Sequence, residues 1–170
     1  RDSVASRGLG DVYKRQVQDG VAVISNTRGV YKMTEFNDYG LIMNKQIASR
    51  EEIFNGHTAK TVRIEVLAQN VTLFLLTARK FLTRLAFGGP LYFRFKMNNT
   101  RALRALFGKR QATVLEDYLR LDREITLSDL DARLPELLAN VLQEAAWSLG
   151  LRTESNEIKD LIKNTLGEAK

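Results

Sequence analysis

Phe87-Gly88-Gly89-Pro90-Leu91-Tyr92-Phe93-Arg94-Phe95-Lys96-Met97 is the stretch that decides the fold, because a helical pattern enters it and a strand pattern leaves it. Glycine accepts the left-handed conformation common at helix ends, and proline cannot continue the helical hydrogen-bond ladder, so Gly88-Gly89-Pro90 reads as the stop. From Leu91 onward successive side chains point to opposite sides of an extended chain. Leu91, Phe93, Phe95 and Met97 then share one face, and Tyr92, Arg94 and Lys96 the other. The first face suits a core. The second offers cations and one aromatic ring to whatever lies outside.

Upstream of the stop, Leu67, Val71, Phe74, Leu75, Ala78, Phe81, Leu82 and Leu85 recur at intervals of three and four. That spacing predicts an amphipathic helix of about 20 residues beginning near Arg63. Leu73 and Leu76 widen its apolar face, so the helix is expected to be largely buried. Nearer the N-terminus, Val21 to Ser25 and Val30 to Thr34 are β-rich runs joined by Asn26-Thr27-Arg28-Gly29, the pattern of a β-hairpin. A turn at Asn37-Asp38-Tyr39-Gly40 and a short third strand at Leu41 to Met43 follow. Arg50 to Phe54 reads as a single helical turn before the loop Asn55-Gly56-His57-Thr58.

Downstream, Asn98-Asn99-Thr100 signals a turn, and Arg101 to Arg110 reads as a short helix or an exposed ribbon. Leu119 and Leu121, then Ile125 and Leu127, alternate as in a half-exposed strand. Pro135 suits a first helical turn, and Leu134, Leu138, Val141, Leu142, Ala145 and Leu149 form an apolar stripe over 134–149. Gly150 followed by Leu151 predicts a Schellman-type stop. Thr153 or Ser155 is placed to cap a second, more polar helix through Ile158, Leu161, Ile162 and Leu166, ending at Gly167. Strands, helix, strands, helices without regular alternation imply an α+β fold: a mainly antiparallel sheet with a long buried helix and C-terminal helices packed on it. The expected organisation is an α+β domain over 17–151 and a helical tail over 152–170.

Residues 1–16 show neither helical nor strand periodicity and no apolar signal-peptide core. Their ending, Gly10-Asp11-Val12-Tyr13-Lys14-Arg15-Gln16, resembles translated sequencing-adapter read-through. The segment is therefore read as non-native or disordered, and the remainder as the tail of a longer protein. Four of its residues are basic and two acidic, which leaves the rest of the chain at +4 against +6 for all 170 residues.

The composition, 44% hydrophobic and 27% charged, is that of a globular chain able to bury a core. The absence of cysteine removes disulfide scaffolds and thiolate metal sites and suits a reducing, cytoplasmic setting. The longest apolar run, Val71 to Leu76, is interrupted by Thr72, followed by Arg79 and Lys80, and far short of the roughly 18 to 20 residues a membrane span requires, so no membrane partner is expected.

Familiar catalytic chemistry has few candidates. The sole histidine, His57, is read as a solvated loop residue. No phosphate-cradling G-x-x-x-x-G-K-[ST] and no G-x-S-x-G elbow occur, and the glycines at 88 and 89 precede a strand instead of a helix. Glu116 with Asp117, Asp122 with Glu124, and Asp129 with Asp131 are acid pairs of the kind that bind Mg²⁺, but solvated charge pairing or capping near Ser128 to Asp131 accounts for them more simply. Trp147 is read as a core or interface residue. The chain is accordingly expected not to be an enzyme and to need neither metal nor cofactor.

What stands out is basic. Arg79, Lys80, Arg84, Arg94, Lys96, Arg101, Arg104, Lys109 and Arg110 fall within 32 residues, inside a run from Ala68 to Leu115 that contains no acid. With Tyr92 as a stacking ring, these residues are the candidate nucleic-acid-binding set, the cations neutralising DNA or RNA phosphates. The same cations can instead meet the acid-rich flanks, Glu35 to Glu65 and Glu116 to Asp131, within the fold or on a partner.

The order Phe74-Leu75-Leu76-Thr77-Ala78-Arg79-Lys80-Phe81, Phe87-Gly88-Gly89-Pro90-Leu91-Tyr92-Phe93-Arg94-Phe95 and Asn98, closed by Trp147-Ser148-Leu149-Gly150-Leu151, resembles the C-terminal region of bacterial Schlafen-like, Alba-type DNA-binding (ATP-binding) proteins. The resemblance spans residues 20 to 151 and implies a non-catalytic accessory domain that contacts nucleic-acid backbone. The family's signature domain would lie upstream, as a further partner within the same protein, and none of its functional residues falls on this sequence. Two other readings stand beside it. One is a protein-interaction or homo-oligomerisation module, suggested by the apolar helix. The other is a fragment of a metal-dependent nuclease, which needs the acid pairs to converge.

Overall fold

The computed structural model describes residues 11–17, 20–27, 30–37, 41–54 and 56–168. Two compact units divide between Ile47 and Ala48. The first is an antiparallel meander of β1 (Asp11–Val17), β2 (Gly20–Thr27), β3 (Val30–Asn37) and β4 (Ile42–Gln46), in that spatial order. Val23 pairs with Lys14 on one side and Thr34 on the other, and Asn44 pairs with Thr34, whose hydroxyl accepts a 2.9 Å hydrogen bond from the Asn44 amide. The expected hairpin and third strand are present. Asp11 to Gln16, read from sequence as lacking strand periodicity, lie in β1, because the whole of β1 finds backbone partners on β2. Residues 1–10, Arg28-Gly29 and most of the turn expected at 37–40 lie outside the described residues.

The second unit is α+β, as expected. Its sheet runs β5 (Arg50–Phe54), β6 (His57–Arg63), β8 (Arg104–Phe107), β9 (Arg110–Thr113), with β6 and β8 parallel and the outer pairs antiparallel. Arg50 to Phe54 is thus a strand where the sequence suggested a helical turn. Gly56 at φ +79° makes the tight reversal that folds it onto β6, so His57 begins a strand and remains exposed. Arg101 to Arg110, ambiguous in sequence, becomes a turn, β8 and the reversal into β9, anchored by buried Leu103, Ala105 and Leu106.

The chain passes without a break from β6 into α1 (Ile64–Arg84). Ile64, Leu67, Ala68, Val71, Leu75, Ala78 and Leu82 bury one face of the helix, against β6, β8 and the C-terminal helices. The stop differs in one detail from the sequence reading. The left-handed residue is Ala86, at φ +51°, and neither Gly88 nor Gly89 has a positive φ. Ala86 N–H donates to the Thr83 carbonyl and Phe87 N–H to the Leu82 carbonyl, both at 3.1 Å, which is the Schellman pattern. Gly89 serves the Phe87 ring instead, since a Cβ there would lie 3.0 Å from the ring edge.

Beyond Pro90, β7 (Leu91–Asn98) pairs antiparallel with β10 (Tyr118–Ile125) as a separate two-stranded ribbon. Its inner face, Leu91, Phe93, Phe95 and Met97 with Leu119, Leu121 and Ile125, joins the hydrophobic core. Helices α2 (Leu127–Ala132), α3 (Leu134–Ser148) and α4 (Ser155–Glu168) close the unit. Thr126 and Asp129 cap α2 reciprocally as a capping box. Gly150, at φ +82°, ends α3 with Leu151 N–H donating to the Ala146 carbonyl at 2.9 Å, the stop foreseen from sequence. The tail beyond 151 is integral to the core: Ile158 and Ile162 are fully buried, α4 packs on α1 and α3, and it runs through Gly167. No helix of the described residues is long and apolar enough to cross a membrane.

Candidate nucleic-acid interface

Alternation along β7 and β10, combined with their register, assembles an outward face that neither strand specifies alone. Tyr92 lies opposite Glu124, Arg94 opposite Asp122, Lys96 opposite Arg120, and Asn98 opposite Tyr118. All eight side chains are exposed. Asp122 accepts hydrogen bonds from Arg94 Nε at 2.6 Å and Arg120 Nε at 2.5 Å. The hydrogen bond from Arg94, followed by that from Arg120, holds the Asp122 carboxyl below the usual aspartate range. One acid therefore serves two arginines. Lys96 has no ion pair among the described residues and faces Arg120 across the strands. Like charges directly opposite one another are unfavourable, so this end of the face attracts an anion.

The rest of the basic set is dispersed and partly occupied by the fold. Arg79 reaches α2, with Nε 3.8 Å from Asp131 and Nη1 donating to the Leu130 carbonyl at 3.4 Å. Arg101 Nε donates to the Leu115 carbonyl at 3.4 Å. Arg104 is half-buried at the start of β8 and is itself engaged. Arg110 grips Glu157 on α4 through Nη1 and Nη2 and also donates to the Arg152 carbonyl. Lys80, Arg84 and Lys109 are exposed, without an ion pair among the described residues. The ten candidates thus divide among the α1 face, the ribbon face and the β8–β9 hairpin with the turn before it.

Sequence reasoning missed Tyr118 and Arg120 as members of the ribbon face. Both lie in a run whose half-exposed alternation was legible, but only the register shows that they extend the Tyr92–Lys96 surface. On the inner side, Arg123 lies opposite Phe93 and is paired with Glu144 of α3. It braces the ribbon against the helices.

Five of the six acids in these pairs have structural roles. Thr100, fully buried, donates from its hydroxyl to the Glu116 carbonyl at 2.6 Å and from its N–H to the Asp117 carbonyl at 3.0 Å, so that pair contributes backbone rather than carboxylates. Asp122 is held by arginines, Asp129 caps α2, and Asp131 meets Arg79. Among the described residues no three acids or histidines gather as a metal site. Trp147, expected in a core or interface, is 59% exposed, and its indole N–H points to the Thr153 carbonyl at 3.4 Å. Comparison of the chain with protein-family models, curated proteins and solved structures finds no match.

Proposed function

We propose that the unit from Ala48 onward is a non-catalytic accessory domain of a Schlafen-like, cytoplasmic DNA-associated protein, contacting nucleic-acid backbone through the outer face of the β7–β10 ribbon. The observation that carries the reading is the apposition of Lys96 and Arg120 beside Arg94, three cations on one exposed face with Asp122 already shared. Lys80, Arg84 and Lys109 add charge elsewhere on the same unit, which favours attraction of a polyanion at long range. Family membership is supported by the order of apolar helix, Gly-Pro corner and strand. The test is fluorescence anisotropy of labelled DNA and RNA against the full chain over a salt series. Binding that weakens steeply with salt is expected, and no binding of either polymer at low ionic strength overturns the proposal.

A second reading, a protein-interaction or oligomerisation module, is favoured by a different observation. Leu73 on the outer side of α1 and Leu85 at its end are more than half exposed, with Phe87 beside the stop. Light scattering separates the two, because a strictly monomeric chain removes self-association.

A further inference from the structure

We propose that the ligand of the ribbon face is single-stranded nucleic acid, with unpaired bases stacked on Tyr92 and Tyr118 and a phosphate held between Lys96 and Arg120. The inference deepens the proposed function and rests on it. Tyr92 is 81% exposed and Tyr118 64% exposed, unusual values for large rings on an otherwise polar strand face. Each begins its half of the ribbon: Tyr92 follows the first residue of β7, and Tyr118 is the first residue of β10, opposite Asn98 at the far end of β7. The two rings are therefore diagonal, six ladder positions apart, or roughly 20 Å at strand rise. The opposed cations lie between them, two ladder positions from Tyr118 and four from Tyr92.

Charge balance selects the form of the nucleic acid. The face carries Arg94, Lys96 and Arg120 against Asp122 and Glu124, a small excess for gripping the dense phosphates of a duplex. A surface of modest charge must draw affinity from elsewhere, and exposed rings provide it only to bases that are not already paired and stacked. Glu124 opposite Tyr92 also repels a second phosphate strand near that ring. Two rings on a strand platform, with cations between them for the backbone, form a stacking surface tolerant of sequence.

The experiment titrates the full chain into labelled oligothymidine and into a duplex of the same length, with Tyr92→Ala, Tyr118→Ala and the corresponding Phe variants. Both rings point outward, so circular dichroism should show every variant folded. Tighter binding of the single strand, an about tenfold loss for each Ala variant and near-retention for each Phe variant support the proposal. Duplex binding that equals or exceeds single-strand binding, with the Ala variants unchanged, overturns it and leaves the proposed function standing. Absence of binding to either polymer overturns both.

Discussion

Arg110 donates to both oxygens of Glu157, from Nη1 at 2.5 Å and Nη2 at 2.7 Å, and so joins β9 to the first turn of α4. Glu157 also accepts the Glu154 N–H at 2.9 Å, closing that turn. A cation that looked from sequence like a phosphate contact is therefore a strap between two parts of the fold. Both groups are substantially exposed, so the pair contributes little on its own. Arg110→Ala is expected to lower the thermal midpoint by no more than about 2 °C and to leave the salt dependence of nucleic-acid binding unchanged. Calorimetry and a salt titration check the two halves.

Acid should dissolve this strap in a defined direction. The hydrogen bond from Arg110 first, and that from the Glu154 backbone second, hold the Glu157 carboxyl below the usual glutamate range. Hydrogen bonding from Arg63 does the same for Glu52 on β5, and from Arg94 for Asp122. A carboxyl whose pKa is depressed on folding binds fewer protons than in the unfolded chain, so its stabilisation is complete above the unfolded value, about 4. It is lost as pH falls through the folded value. The thermal midpoint is expected to be flat in pH above about 5 and to fall below about 4. For Glu157→Gln the difference from the native chain should vanish at the acid end.

The two helix stops make opposite predictions. Ala86 sits at φ +51°, in the left-handed region where an L side chain is strained by about 1–2 kcal/mol. Ala86→Gly should stabilise the chain by about 0.5–1 kcal/mol after glycine's greater unfolded entropy is offset. Gly150 sits at φ +82°, and a Cβ there would also press on the Ala112 Cβ at 3.3 Å. Gly150→Ala should destabilise by about 1–2 kcal/mol. Urea denaturation at equilibrium measures both, and equal signs would refute the account of the stops.

These stops also show what a sequence conveys and what it withholds. Periodicity located α1 and α3, because burying one stripe of a helix imprints itself on every third or fourth residue. Composition located the stop at 88–90 and assigned the left-handed residue to glycine, since propensity favours Gly, while the hydrogen bonds from Ala86 and Phe87 are set by where α1 runs out of core to cover. Arg50 to Phe54 was misread for a related reason. Its partner β6, not its own pattern, makes it a strand, and Ile53 remains exposed on it. The ribbon face needed register: Arg94 and Lys96 were legible as one side of a strand, whereas their neighbours Asp122 and Arg120 lie 28 and 24 positions along the chain.

Helix α4 looked polar enough to be a tail, and the core says otherwise. Ile158 is fully buried where α4 meets α1 and α3. Ile158→Ala should cost about 2–5 kcal/mol, the range for a buried aliphatic side chain replaced by alanine. A change below about 0.5 kcal/mol, as at surface positions, would mean that α4 is dispensable to the unit. The denaturation midpoint decides, read with the slope, which should stay constant if the folded state remains cooperative.

Lys96 and Arg120 offer the most discriminating comparison with Arg110, since all three are exposed cations and only the ribbon pair lies on the proposed interface. Each phosphate contact to a single strand contributes about 0.7 to the slope of log affinity against log salt. Because the two are proposed to hold one phosphate between them, the double variant Lys96→Gln with Arg120→Gln should flatten that slope by about 0.7, and each single variant by less. A full loss of about 0.7 in each single variant and twice that in the double variant would mean that the two cations meet separate phosphates, against their cross-strand apposition. Lys96→Gln, which relieves the repulsion without giving up an ion pair, should also leave folding stability unchanged or slightly raised, whereas Arg120→Gln also removes the exposed pair with Asp122. Loss of binding through unfolding would show the reverse, a lower midpoint in the same variants.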